Sequence, residues 1–461
     1  MVEEYMEESW RTFEEMEKVL SHSIDLELLP RGERELVMRG LGPLKRLLHR
    51  CSLDQPSMPV IQIVGSKGKG STSTMLEALL RAQGLKTGLY QSPHLLDRRE
   101  RILVNGEWVS DQLWLEWGWA LWTDSQKAWE PLSRFELETA VAYAIFQTLD
   151  VDVIIVEAGL GGVDDATSAI PAQLHILTSV ELEHTDILGP TLSDIARAKA
   201  GVARAGVPFL CGTLPLEAMQ VVERLAQERG VRLYEVDQLA DIQHTHYHSE
   251  GVEFAFEWKP SHWKLSQPHT VSLPLYGSHH PLQSCLAILA AQICCLELLQ
   301  RTFDEQALKA LEVIKTPARL QHLQNNPPLL LDCAHTLDSV RVALEALRRH
   351  FEQGPSCILL ALNDDKDLPG ILEELAKHTE SLIILPNPGV RSWEPLTLHA
   401  QVRQIKDVNV VFLQDVATGL ERLKALCHPD KLGLITGSMK LAGAVLSLES
   451  YSSCEGPEPV L

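Results

Sequence analysis

The run Val64-Gly65-Ser66-Lys67-Gly68-Lys69-Gly70-Ser71-Thr72 sets two lysines and three hydroxyls inside a glycine-rich turn. These residue types suit a phosphate cradle. Gly65, Gly68 and Gly70 permit φ > 0, so successive backbone N–H groups can converge on one anion at the positive end of a following helix. Lys69 would neutralise phosphate charge, and Ser71 or Thr72 could hold a magnesium ion. The spacing departs from the standard Walker form because Gly70 separates the lysine from the serine. Downstream, Glu157 ends the apolar run Val151 to Val156. A carboxylate facing a triphosphate is repelled unless a divalent cation lies between them, which makes Glu157 a magnesium-ligand candidate. His184 follows the apolar run His175 to Val180 in an acidic stretch, although a lone histidine is more often a hydrogen-bonded structural residue than a ligand. Lys199 is flanked by Ala198 and Ala200, and Asp164, Asp165 and Thr167 read as helix caps.

The elements around these residues read as α/β. Pro59 to Val64 is a buried parallel strand and Ser71 to Ala82 a helix. Open α/β sheets place ligands at the carboxyl ends of their strands, where Glu157 and His184 would emerge beside the phosphate turn. Asn105-Gly106 predicts a hairpin between Ile102-Leu103-Val104 and Trp108-Val109. The cluster Arg98-Arg99-Glu100-Arg101 just before it fits an anionic ligand or a solvated face equally well. Trp114, Trp117 and Trp122 share one helical face and are expected to fill core between helix and sheet. Amphipathic helices are expected at Glu3 to Leu20 and Arg34 to His49. His244, His246 and His248 alternate, which on a strand puts them on one face, expected to be a solvated edge.

Composition narrows the class. The 461 residues are enough for two or three domains, and 45% hydrophobic with 22% charged content is that of a soluble globular chain. A net charge of -21 argues against a nucleic-acid partner. Nine cysteines without a C-x-x-C pair fit a reducing compartment better than a disulfide framework or zinc site. Met1 to Glu8 is acidic, without a secretory apolar region, and Cys285 to Leu299 is broken by Gln292 and Glu297 and reads as a core helix. The expected location is cytoplasmic, without a membrane partner.

Six ordered motifs resemble those of folylpolyglutamate synthase and dihydrofolate synthase, ATP-dependent amide ligases related to the Mur ligases. They are Gly65 to Thr72; Ser92-Pro93-His94-Leu95; Glu100-Arg101-Ile102 with Asn105-Gly106; Glu157-Ala158-Gly159-Leu160-Gly161-Gly162; Glu183-His184-Thr185 with Leu188-Gly189; and Lys199-Ala200-Gly201. The likeness runs from roughly residue 35 to residue 445. It implies an N-terminal P-loop-type ATP- and folate-binding domain with a mostly parallel sheet over residues 1–302. A linker at 303–318, a smaller Rossmann-like glutamate-ligase domain at 319–450 and a disordered tail at 451–461 complete the expected organisation.

By the same resemblance, Gly65, Ser66, Lys67, Gly68, Lys69, Gly70, Ser71 and Thr72 hold ATP. Lys69 contacts its β/γ-phosphates, and Ser71 and Glu157 bind magnesium. His184 ligates a second magnesium, with Lys199 as the lysine these ligases often carbamylate. Ser92, Pro93, His94, Leu95 and Arg101 fall on the pterin side, and Gln283 in the adenine-side segment. Arg319 reaches across to the γ-phosphate, and Asp332 and His335 contact nucleotide from the second domain. Lys69, Lys199, Arg319 and His335 are the implied catalytic set. The implied ligands are ATP, two Mg²⁺ ions, L-glutamate and a folate or dihydropteroate, with a monovalent cation such as K⁺, all acting on a monomer. The chain departs from the usual family pattern at His280, Gln283, Cys333, Ala318, Val163 and Glu183. Those departures keep open a binding-only homologue, beside a Mur-like ligase of other substrates or a plain ATPase.

Overall fold

The structure is a computed structural model that describes residues 10–20, 40–130, 132–259, 269–351, 354–389, 392–402, 408–427 and 431–450. The first sheet comprises β1 (Val60–Val64), β2 (Thr87–Tyr90), β3 (Ile102–Val104), β4 (Glu107–Trp108), β5 (Val153–Glu157), β6 (Leu174–Leu177), β7 (Pro208–Cys211) and β8 (Arg232–Glu235). Its order is β4-β3-β2-β5-β1-β6-β7-β8, parallel except for β3, which pairs antiparallel with both β2 and β4. β1 is buried along its whole length because both faces are covered, which is why its sequence is a continuous apolar run rather than an alternation. Ile61 and Ile63 face one core, shared with the helices Lys69–Ala82 and His280–Ile293, while Val60 faces another with Arg134–Thr148. Gln62 is buried among them and donates to Thr167 Oγ1 at 2.9 Å and Ser168 Oγ at 2.7 Å, so no amide donor is stranded.

A three-stranded sheet of β9 (Ala240–His248), β10 (Gly251–Trp258) and β11 (His269–Leu273) packs on the same core. The expected histidine face does not form there. His244 sits at φ 52 where the β9–β10 register shifts, so the bulge breaks the alternation and only His246 and His248 stack, at 5.7 Å. The predicted hairpin is present, with Asn105 and Gly106 at φ 52 and 77, as a type I′ turn demands.

The second domain carries β12 (Gln321–Asn325), β13 (Pro328–Leu331), β14 (Cys357–Leu360), β15 (Ser381–Ile384), β16 (Asn409–Phe412) and β17 (Gly433–Thr436). They form a sheet ordered β12-β13-β17-β14-β15-β16, in which β12 alone is antiparallel. Before it, the helical segment Glu305–Val313 packs on the helix Lys69–Ala82 and on β11.

Two expectations on helices change, and a third, the core helix, holds. The N-terminal helix spans Phe13–Leu20 and the next Gly42–Arg50, opened by Pro43 near its first position; residues 1–9 and 34–39 lie outside the described part, as does the tail 451–461. The tryptophans of Asp111–Lys127 fill core, but between helices rather than against the sheet. Trp119 and Trp122 meet Trp10 at 5.5 and 5.7 Å, and Trp114 meets Phe13 at 5.5 Å. Finally, His280–Leu298 is long and apolar enough to cross a membrane, yet 72% of it is buried inside the protein, where Ala287, Ile288 and Leu289 are fully enclosed.

Candidate active site

The topology brings the chemistry to one place. β1 lies between β5 and β6, so the phosphate turn leaves β1 with the end of β5 on one side and of β6 on the other, and Ile63 pairs in register with Glu157. The turn is shaped by its glycines and held by the end of β6. A Cβ on Gly65 (φ 149) would fall 2.0 Å from Thr178 Oγ1, and one on Gly68 (φ 79) 2.3 Å from Gln283 Nε2. Ser66 N donates to Ser179 O at 2.9 Å and Lys67 N to Ser179 Oγ at 2.8 Å, while Thr178 Oγ1 donates to Lys67 O at 2.6 Å. The helix begins at Lys69, two residues before the expected Ser71, which places Gly70, Ser71 and Thr72 in its first turn. Thr72 is fully buried and Ser71 half-buried. Lys69 Nζ donates to the Gly65 carbonyl at 2.8 Å.

Glu157 is buried 3.4 Å from Ser92 N, and a Cβ on Gly70 would lie 3.6 Å from its carboxylate. Burial pushes its carboxyl up, opposed by the charge of Lys69, the Ser92 amide and the charge of Arg319. A buried carboxylate beside Gly70, the residue before Ser71, suits a hard divalent cation. Among the described residues no three His, Cys, Asp or Glu side chains converge on one point. A magnesium ion here would therefore take Ser71 and Glu157 from the protein and its remaining ligands from phosphate and water.

The implied second-metal residues are arranged differently. Lys199 is buried and its Nζ lies 3.0 Å from both the Gly65 carbonyl and the Glu183 carboxylate. Burial, with the nearby Lys69 charge, pushes its ammonium down to about 8. As an ammonium it is no metal ligand. His184 is exposed at the start of the short helix Thr185–Leu188, in the left-handed region at φ 46. Asp165 does cap, as expected, but it also turns inward to accept from Leu160 N and Thr167 Oγ1 at 2.7 and 2.6 Å.

The Ser92 to Leu95 loop is tied at both ends. Arg101 is buried, donating to His94 Nδ1 at 2.8 Å and to Glu138 at 2.7 Å; Arg98 and Arg134 also meet Glu138, and both reach Glu17. The basic cluster is thus a buried ion-pair network, while Arg99 stays outside it, paired with Asp97 and Asp111. Leu95 packs against the second domain's core, where a Cβ on Gly443 would fall 2.6 Å from its carbonyl oxygen. His94 is pushed down to about 3, by burial first and then by Arg101, Arg98 and the Lys440 charge from the second domain.

The second domain supplies the opposite wall. Arg319 stands between Ala318 (φ 51) and Leu320 (φ 48), two left-handed residues that turn it toward the first domain, and its guanidinium donates to Cys333 Sγ. Buried Asp332 clamps that turn, accepting from Leu320 N at 2.9 Å and Ala334 N at 2.7 Å. His335 Nδ1 is 2.8 Å from the Cys333 carbonyl, and burial pushes its imidazole down to about 4, so it is neutral. Ala318 carries a left-handed backbone in full burial, a conformation that favours glycine. Ala318→Gly should relieve roughly 1–2 kcal/mol of strain and return about 0.5–1 kcal/mol through the freer unfolded chain. A small net gain in resistance of the second domain to urea is the expected result, read by circular dichroism.

Sequence reasoning missed Thr178, Ser179, Glu183 as the Lys199 partner, and Lys440. The first two were findable, because they follow β6, the strand beside the phosphate turn. Lys440 was not, since only tertiary structure brings its helix to the Ser92 loop.

Comparison with known proteins agrees with this geometry. Residues 318–439 match the Mur ligase, glutamate ligase domain. The chain is 30% identical over 445 residues to the dihydrofolate synthase/folylpolyglutamate synthase of Mycobacterium tuberculosis, covering 88% of this chain and 89% of that one. Its fold is similar to the folylpolyglutamate synthase of M. tuberculosis complexed with ADP, at a TM-score of 0.81, 25% identity and coverage of 97% and 98% of the two chains. It is also similar to the bifunctional enzyme of Yersinia pestis complexed with AMPPNP and a manganese ion, at 0.77, 26% identity and coverage of 95% and 98%. With a nucleotide turn and a Mur-type second domain in one chain, this protein belongs to the folylpolyglutamate synthase/dihydrofolate synthase family.

Proposed function

We propose that the chain is an ATP-dependent, ADP-forming ligase that joins L-glutamate to a folate, to dihydropteroate, or to both. The observation that carries this reading is the meeting of two half-sites. Glu157, beside the phosphate turn of the first domain, lies close enough to Arg319 of the second that each charge acts on the other, and Asp332 and His335 flank Arg319 on its own turn. A carboxylate is a poor acceptor for an amine because its oxygen cannot leave; converting it to an acyl phosphate supplies a leaving group. Lys69 would leave the Gly65 carbonyl for the phosphates, while the loop N–H groups orient them. Arg319 would balance charge on the transferring oxygens from the far side. The glutamate amine then attacks the acyl carbon, and phosphate departs from the tetrahedral intermediate. Because acyl phosphates hydrolyse, the second domain must also exclude water.

Magnesium, held by Ser71 and Glu157, would neutralise triphosphate charge. A second ion would need Lys199 carbamylated, with His184 as a further ligand. An ammonium near 8 leaves roughly a tenth of the amine neutral at pH 7, available to carbon dioxide. A monovalent cation such as K⁺ belongs to the same proposal. We assign Ser92, Pro93 and His94 to the acceptor, with Arg101 holding His94 and Leu95 anchoring the loop to the second domain. Gln283 is assigned to the nucleotide through its contact with Gly68. The working organisation is a monomer of two units, 1–302 and 319–450, joined at 303–318. The net charge of -21 supports small-molecule partners over nucleic acid, and the free cysteines fit a reducing cytoplasm.

The test is phosphate release from ATP, Mg²⁺ and glutamate with dihydropteroate, tetrahydrofolate or no acceptor, with products separated by mass. Acceptor-dependent phosphate and a product heavier by one glutamyl unit are expected. Phosphate release that ignores the acceptor would leave only an ATPase.

A further inference from the structure

Away from the phosphate turn, the seam between the domains closes on one side chain. His350 lies in the last turn of the second-domain helix Leu337–Phe351 and is buried. Gly277 N donates to its Nε2 at 3.1 Å, which requires that Nδ1 carry the proton in the neutral ring, and Nδ1 lies 2.9 Å from the His248 carbonyl. Both partners are first-domain backbone. The rings of Tyr247 and Tyr276 stand edge-on to the imidazole at 5.2 and 5.0 Å. Tyr276 is itself fixed by its hydroxyl, which donates to the Ser249 carbonyl at 2.7 Å, and it packs with Val340, Leu344 and Leu347 of the second domain. Burial lowers the His350 ring's affinity for a proton, in keeping with its role as an acceptor.

What His350 holds leads directly to the nucleotide. Gly277 begins the turn that opens the helix His280–Ile293, and Gln283 in the first turn of that helix is the side chain pressed against Gly68. The contacts therefore run from the second domain through His350 and Gly277 to Gln283 and the phosphate turn.

We infer that His350 is a positioning residue for nucleotide binding: by holding Gly277 it sets Gln283 against Gly68 while fixing the second domain to the first. No contact between His350 and substrate is involved. The inference rests on the reading of Gly65 to Thr72 as the nucleotide site.

Two substitutions separate the contacts. His350→Gln retains an acceptor at the reach of Nε2, whereas His350→Asn can still donate to the His248 carbonyl but withdraws from Gly277. Calorimetry with Mg²⁺ and ADP on the full chain should show wild type binding, His350→Gln within about threefold of it, and His350→Asn weaker by about tenfold, because a released Gly277 leaves the binding-competent placement of Gln283 populated only about one part in ten. The KM for ATP should rise by a similar factor in His350→Asn with kcat changed much less. If wild type fails to bind ADP, the nucleotide reading itself is wrong and the inference falls with it. If wild type binds and His350→Asn matches it, or if both variants weaken equally, His350 does not act through Gly277.

Discussion

Arg319→Ala is expected to lower glutamate-ligase turnover by about 10³-fold or more while leaving ADP affinity within about threefold, the pattern of a cation that acts on the transferring phosphoryl group rather than on the bound nucleotide. The asymmetry follows from where the arginine sits. The phosphate turn, its backbone donors and Lys69 all belong to the first domain, so the hold on the bound nucleotide does not depend on the Arg319 guanidinium. Arg319 reaches the Glu157 region only from across the seam, on a turn strained at Ala318 and Leu320 and clamped by Asp332. Such strain is kept where geometry matters. Single-turnover phosphoryl transfer and ADP calorimetry on the same variant check the prediction. Equal retention of turnover would remove Arg319 from the reaction.

Glu157→Gln should separate activity from stability. Turnover should fall by about 10²–10³-fold, and the Mg²⁺ concentration for half-maximal activity should rise by about tenfold, because the amide keeps the shape but not the charge that holds a hard cation. The nucleotide-free protein should nevertheless become more stable at neutral pH. Burial raises the Glu157 carboxyl above its usual value, so the folded state holds that proton to higher pH than the unfolded chain does. Its contribution to stability is complete below the unfolded value near 4.5 and is lost as pH rises through the folded value. Glutamine has no proton to lose. Urea unfolding of both forms at pH 5 and pH 7.5 should show the variant's advantage growing with pH. A variant less stable than wild type at pH 7.5 would mean that the carboxylate is satisfied without a cation.

Residues whose environment is set locally were legible in the sequence. The phosphate turn, Glu157 at a strand end and the Asn105-Gly106 hairpin follow from backbone rules that act within a few positions, and the structure carries each one. Fold class was legible for the same reason, since strands buried on both faces leave continuous apolar runs. What sequence alone left hidden depends on charge pairs formed across long separations. Nothing adjacent to Arg101 signals that Glu138 will neutralise it, or that Leu95 will pack against another domain's core. The β9 bulge is similar: alternation at His244, His246 and His248 is a correct strand signal that one left-handed residue cancels. The short antiparallel β12 and the helix Leu337–Phe351 escaped sequence reading, the latter although it carries His350.

The central claim is that the acceptor's own carboxylate is phosphorylated before glutamate attacks. Acceptor labelled with ¹⁸O in that carboxylate, incubated with ATP, Mg²⁺ and glutamate, tests it through the mass of the released phosphate. One labelled oxygen per phosphate, with the amide product keeping the other, is the expected result, because the bridging oxygen of an acyl phosphate leaves with phosphorus. Unlabelled phosphate accompanying a glutamylated product would contradict the account.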